Sequence, residues 1–516
     1  MLYVVLLLKL TQGCLNHPDY PLHISSRSLQ TGPPVPEPDW RSIRITPYYI
    51  NNTSSLGDIK STFIPLAIEF YKKVLKIVYN GDIYITSSTC SGIEVPDTYH
   101  LTNTSTDVII LITYDENSET GAWAQPCECS EDIGMRPILG RMHFQGTFES
   151  MTWEQKQALC IHQLAHILAY DARLLPYFLG KIGETYGIDQ VLGYTSRRNS
   201  QISYLKTPKL IEIAREAFQC NNLYGLDLEN TFSEKSTSLH WEKRIMNNDF
   251  MVADSNIYYI SYSDISFSIF EDSGWYQVDY SYSNNILWGY HKGCEFLIDP
   301  CVEKSNYMFN EFCNTSSSIS LCDHSHTFKG NCNMGIQSSP IPAQFQYFSD
   351  VFIGGNDSFT DFCPYVKPET TGSCRDIGIE NTIINTVDYG ENACDSCKCL
   401  EGTYVSQFST MSVHWHAGCH QITCEGNVAV VHVGGEVVFC DPGGGEVTVR
   451  GYDGYLICPS SDVLCKDLPC PFACYGNGKC VNGQCDCYSG YSGLYCDSGS
   501  MIRGLEWIAL VVLVVN

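Results

Sequence analysis

Apolar residues recur at helical spacing through Ser61–Val78, where Ile64, Ala67, Phe70, Val74, Leu75 and Val78 share one face before Asn80-Gly81 breaks the pattern. That spacing predicts a helix. Asp82–Ser87 (DIYITS) alternates with the period of a strand, and Asp107–Thr113 (DVIILIT) is a continuous apolar run suited to a buried strand. A second helical pattern begins near Thr152, where Thr152 and Gln155 have capping-box spacing, and runs without Pro or Gly to Ala169. Lys209–Cys220 predicts another helix, whereas Ile257–Tyr290, rich in Tyr and Ser, predicts strands and loops. Residues 14–40 are rich in Pro and polar groups and read as an extended leader, not a packed element. Helices and strands in this order imply an α/β or α+β domain with one mixed sheet, and α+β is the class adopted. Beyond Cys294 the spacing of Cys, Gly and Pro predicts a disulfide-stapled, mainly β or irregular domain.

Composition narrows the setting. A chain of 516 residues holds about two or three domains, and 44% hydrophobic with 17% charged residues excludes wholesale disorder. The net charge of −26 makes a phosphate backbone an unfavourable partner, so nucleic acid is excluded. The 27 cysteines point to an oxidising compartment. N-x-S/T sequons at Asn51, Asn52, Asn103, Asn314 and Asn356 agree, as candidate glycosylation sites of a secretory protein.

Both termini read as addresses. Met1–Leu10 (MLYVVLLLKL) resembles a secretory signal peptide, although it lacks a basic n-region and Lys9 interrupts it; an N-terminal buried strand is the alternative. At the other end Ser498, Gly499 and Ser500 precede a polar spacer and the apolar Trp507–Val515. That tail is far short of the ~20 residues a spanning helix needs, and it fits a GPI-attachment signal or a merely apolar terminus.

The candidate chemistry lies in Cys160–Tyr170 (CIHQLAHILAY), where His162 and His166 stand four apart as in the zinc motif H-E-x-x-H. On a helix both imidazoles face one way, so they can share one ion, or they are simply two histidines of a core. A catalytic zinc keeps one coordination position open for water, and the glutamate beside the first histidine takes a proton from that water and hands it to the leaving amine. Here that position is Gln163. Downstream, Ser238–Asp254 (SLHWEKRIMNNDFMVAD) supplies a third histidine, His240, with Met251 eleven residues later.

This combination resembles the leishmanolysin family of metzincin zinc peptidases. Ala122–Phe144 (AWAQPCECSEDIGMRPILGRMHF) looks like the family's Cys-containing segment and Arg-Pro-x-x-Gly stretch. His240-Trp-Glu-Lys-Arg looks like its third-ligand segment, and FEDSGWYQVDY (270–280), Trp288-Gly289 and Gly293-Cys294 look like the run after its Met-turn. The resemblance implies a metzincin-like domain binding one zinc ion through His162, His166 and His240, with Met251 in the Met-turn. It also implies a surface-anchored endopeptidase with a pro-segment, whose cysteine can occupy the zinc's open position; Cys14 is the candidate. The odd cysteine count fits, since removing Cys14 leaves 26 that can all pair. Cys470, Cys474, Cys480, Cys485, Cys487 and Cys496 are spaced as in an EGF-like module. Spacing alone leaves many pairings open. The family's pairing runs first to third, second to fourth, and fifth to sixth. The expected organisation is signal peptide 1–13, leader 14–40, metzincin-like regions 41–255, cysteine-rich domain 256–464, EGF-like module 465–497 and anchor signal 498–516.

Two positions depart from the family pattern. Ala169 replaces a glycine that helps the chain turn away from the helix, a change tolerable if the helix extends. Gln163 is the weightier departure, because a carboxamide can hydrogen-bond a water yet cannot accept its proton. Glu154 and Glu242 are alternative bases only from other directions. Three functions follow: a zinc-binding homologue with impaired or lost hydrolysis that binds peptides or proteins at the cell surface, an active zinc endopeptidase, or a structural coat protein indifferent to metal. The oligomeric state has no signature in the sequence.

Overall fold

The computed structural model describes residues 22–25, 39–50, 56–116, 122–180, 184–198, 200–230, 239–254, 260–284, 286–303, 306–313, 319–375, 384–394, 396–426 and 428–465. It also describes 474, 477–481, 484–488, 491–492, 496 and 498–499 in the C-terminal module. The expected signal peptide, Cys14, Asn51, Asn52, Asn314, Cys470 and the apolar tail lie outside the described residues.

The N-terminal region contains strand β1 (His23–Ser25), β2 (Ile45–Tyr49), helix α1 (Ile64–Val74), β3 (Val108–Asp115), β4 (Trp123–Ser130), β5 (Arg136–Gln145) and helix α2 (Trp153–Leu168). The strands form one mixed sheet in the order β1-β4-β5-β3-β2. Only the β4–β5 pair is antiparallel. The apolar run of β3 is buried on both faces, as its lack of alternation requires. Val108, Ile110 and Ile112 face the core shared with α1 and α2, while Ile109 and Leu111 pack with Ile83, Ile85 and Val95 on the other side. Helix α2 lies tight against β5 because Gly140 has no side chain: a Cβ there would stand 2.5 Å from Ile167 Cγ2. The glycine of the Arg-Pro-x-x-Gly stretch thus sets the depth at which the histidine helix sits.

Helix α2 starts with the expected capping box, Thr152 N donating to Gln155 Oε1 (3.0 Å) and Gln155 N to Thr152 Oγ1 (3.2 Å). Beyond it follow α3 (Pro208–Phe218), which begins on a proline suited to a first helical position, the one-turn α4 (Lys243–Met246) and α5 (Asp264–Asp272). The C-terminal half holds an antiparallel sheet of β6 (Cys397–Gly402), β7 (His416–Glu425), β8 (Val428–Val433), β9 (Glu436–Cys440), β10 (Gly445–Val447) and β11 (Leu456–Cys458), in the order β9-β8-β7-β6-β11-β10. Bridges Cys301–Cys363, Cys313–Cys332, Cys322–Cys399, Cys374–Cys419, Cys394–Cys397, Cys424–Cys465 and Cys440–Cys458 staple this half. Mixed α and β content with a disulfide-dense second half agrees with the α+β reading.

Several expectations are corrected. The helix predicted over 61–78 ends at Val74, and Leu75–Val78 is a strand pairing with Trp40–Ser42 and Gln277–Val278. Leu75 and Ile77 are buried there while Lys76 is exposed, a period of two inside a longer apolar pattern. The leader is partly packed: β1 adds a parallel strand to the edge of β4, and Leu22 contacts the main core. Ile257–Tyr290 contains helix α5, not only strands and loops. Cys129 and Cys160 are free thiols, both buried, so the cysteines other than Cys14 do not all pair.

Candidate metal centre

Helix α2 buries both histidines, His162 being 4% and His166 0% exposed, within an unbroken run of buried residues, 157–171. Their spacing turns both rings to one point. His240 arrives there on Leu239–Asp254, a segment folded back on itself: Trp241 N donates to Met251 O (3.0 Å), and Trp241 pairs with Val252 as an isolated bridge. The ring nitrogens converge, His162 Nε2 lying 2.9 Å from His166 Nε2 and 3.2 Å from His240 Nε2. The nitrogens of all three lie within 4.8 Å of one another.

Backbone carbonyls fix how the rings are protonated. His162 Nδ1 donates to Phe250 O (2.6 Å) and His166 Nδ1 to Tyr170 O (2.7 Å). A carbonyl only accepts, so in each neutral ring the proton is on Nδ1 and the Nε2 lone pair faces the common point. Burial, then the neighbouring His166, pushes His162 down to about 3, which keeps it neutral. Lone pairs set this close repel one another unless a cation stands between them. Nitrogens on a tetrahedral zinc at its usual Zn–N bond length stand about 3.3 Å apart, close to the spacing here. The carbonyls on Nδ1 are the outer partners that orient imidazole ligands. The donor set therefore fits the zinc ion that the family resemblance implies.

Two elements beneath the ligands were not foreseen from sequence. Tyr170 O also accepts, at 3.4 Å, from Leu239 N, the residue before His240, so one carbonyl links the end of α2 to the third-ligand segment. Phe250, just before the expected Met-turn residue, orients His162. Met251 itself is fully buried in the main core. Its N–H donates to Asp249 Oδ1 (2.8 Å), and Asp249 also accepts from Ser263 and Ser266 hydroxyls. No short motif announces these roles, because carbonyls belong to every residue and only the fold aims them.

The remaining candidates divide. Gln163 is fully buried, and its Nε2 donates to the carbonyl oxygen of Ala122 (3.3 Å), the residue just before β4. Glu242 is turned elsewhere: it accepts from Asn230 Nδ2 (2.8 Å) and Arg244 N (3.2 Å), and burial, then Asp361 and Glu229, hold it well above the usual carboxylate range. The side chain of Glu154 lies outside the described residues. Ala169 ends α2 with a negative φ of −155°, so no glycine is required and the helix is not extended. Asn103 and Asn356 are exposed. Cys474 is bonded to Cys485 and Cys487 to Cys496; the side chain of Cys480 lies outside the described residues.

Comparison with known proteins bears on most of the chain. The leishmanolysin profile of peptidase family M8 matches residues 58–470. Leishmanolysin of Leishmania donovani is 24% identical over 429 residues, covering 78% of this chain and 69% of that protein. Leishmanolysin of Leishmania major is 25% identical over 422 residues, covering 78% and 67%. A leishmanolysin-like peptidase of Drosophila melanogaster is 24% identical over 419 residues, covering 66% and 60%. With a match that runs from before α1 through the C-terminal sheet, and three histidines gathered around one point, the chain belongs to the leishmanolysin family.

Proposed function

We propose that this chain is a leishmanolysin homologue that binds one zinc ion through His162, His166 and His240, hydrolyses peptides weakly or not at all, and serves as a binding or adhesion protein at the cell surface. The observation that carries the reading is Gln163, in the general-base position and hydrogen-bonded to Ala122 O. Zinc, when bound, supplies Lewis-acid polarisation of a peptide carbonyl and activation of water. The chain's part would be to take up the water's proton and return it to the leaving amine. A carboxamide has no site for that proton, and its N–H is engaged with backbone. Loss of a positioned acid–base group typically costs ~10²–10⁴ in rate.

Other parts of the proposal concern setting. The disulfide-dense half supports passage through the secretory pathway to a surface or extracellular location. We assign binding contacts to peptides or proteins to the EGF-like module and to glycans at the exposed Asn103 and Asn356, with lipid anchorage at the C-terminus. Cys14 is proposed as a latency thiol. It precedes His23, the first residue of β1, by nine residues.

Metal analysis with a peptide-cleavage assay tests the reading. Purified protein is expected to carry one zinc per chain, His240→Ala to lose it while remaining folded, and a broad peptide library to be cleaved barely or not at all. Absence of zinc with indifference to chelator would favour the coat-protein alternative. Rapid cleavage abolished in His162→Ala would establish the active endopeptidase instead.

A further inference from the structure

The segment carrying His240 has little framework of its own, since between Leu239 and Asp254 only the one-turn α4 is regular. Long side chains from this segment tie it to distant parts of the chain. Trp241 Nε1 donates to Ser266 Oγ (2.8 Å) on α5, and Arg244 donates to Phe296 O (2.8 Å) and Asp299 O. Between them, Lys243 is 3% exposed and places Nζ 2.6 Å from Asp254 Oδ2 and 2.6 Å from Asp357 Oδ2.

The two carboxylates do different things. Asp254 closes the far end of the same segment and by itself neutralises the buried ammonium. Asp357 comes from the cysteine-rich half, 114 residues away, so it adds a cross-link where charge balance is already met. Its position is strongly determined. Oδ1 accepts from Phe359 N (3.0 Å), capping the turn Ser358–Thr360, and Oδ2 accepts from Tyr365 OH (3.1 Å). At the other end of the turn Asp361 pairs with the buried Arg198 (3.5 Å), and Cys363 is bridged to Cys301. Asp361 and Phe362 hold φ of 54° and 58°, a left-handed conformation that residues with side chains keep only where surroundings impose it. The turn is a rigid clamp against the back of the third-ligand segment.

We infer that Asp357, acting through Lys243, is a positioning residue for His240, so that the cysteine-rich domain completes the metal site. The inference rests on the three-histidine zinc reading. Asp357→Asn is the discriminating variant, because it retains the oxygen that caps Phe359, leaves Lys243 neutralised by Asp254, and removes the Oδ2 acceptor that Lys243 shares with Tyr365; Tyr365→Phe, which removes only the tyrosine hydroxyl, is its control and is expected to keep wild-type zinc affinity. Zinc affinity of the full-length protein, measured by chelator competition, is expected to fall about 10-fold, the lower end of what loss of an outer-shell partner costs. The melting transition of the metal-free protein is expected to stay in place, and the cobalt-loaded variant to show an altered absorption band. Affinity within about twofold of wild type would overturn the inference, as would a loss matched by equal destabilisation of the metal-free protein. If wild type itself took up no zinc, the three-histidine reading would fail first and take this inference with it.

Discussion

At the scale of single residues, Ala169 and Gln163 occupy two departures from the family pattern, with opposite consequences. Ala169 replaces a glycine at the end of α2, yet its φ of −155° needs no glycine, and both its own N–H and that of Tyr170 reach Ala165 O at 2.9 Å. Restoring glycine adds only freedom to the unfolded chain. Ala169→Gly is therefore expected to lower stability by about 0.5–1 kcal/mol in denaturant unfolding and to leave zinc content unchanged; a stabilised variant would show that the turn is strained. Gln163 changes chemistry with little change of shape. A carboxylate there would face Ala122 O without a proton to share, whereas the carboxamide donates one.

At the scale of elements, β7 places His416 and His420 on the buried face of the C-terminal sheet. Tyr404 OH meets His420 Nε2 at 2.5 Å, Tyr389 stacks on His416 at 3.8 Å, and the Lys329–Glu391 ion pair lies alongside. Burial, then Lys329, pushes His420 down to about 3, and burial pushes His416 down to about 4 against a bond to the His414 carbonyl that favours its charged form. Both folded values lie below the ordinary histidine value of about 6.5, so on acidification the unfolded chain takes up protons first. Their contribution is complete above that value and is lost as pH falls toward 4 and then 3. Urea unfolding across this range should show stability draining below about pH 6.5, with a shallower slope in His420→Gln; an unchanged slope would remove His420 as a cause. Helix α2 was legible from sequence because its capping box, its freedom from Pro and Gly, and its histidine spacing are all local. Helix α5 was not. Ile265, Phe267, Ile269 and Phe270 surround it with apolar groups, and Ser266 and Ser268 are buried with hydroxyls bonded to Asp249 Oδ1 and Ile265 O, so no polar face marks its period.

At the scale of the molecule, the site is assembled from a helix, a folded-back segment and a clamp that are far apart in sequence. The three histidines could be read in advance because two share a helix and the third sits in a segment with a recognisable neighbour pattern. The pairing of Lys243 with Asp357 could not, since nothing local distinguishes that lysine from a solvated one until the cysteine-rich half folds against it. The same limit hid the edge role of His23–Ser25, which depends on β4 presenting an unpaired edge. Under the proposed reading, three histidines with their orienting carbonyls form the metal centre, and the general-base position is held by Gln163, whose carboxamide cannot take up a proton. The most direct test compares zinc-loaded wild type with Gln163→Glu on the same peptide library. Cleavage is expected to be absent or slow in wild type and to rise by about 10²–10⁴-fold in the variant. Wild-type turnover equal to that of Gln163→Glu, and abolished by His162→Ala, would contradict it.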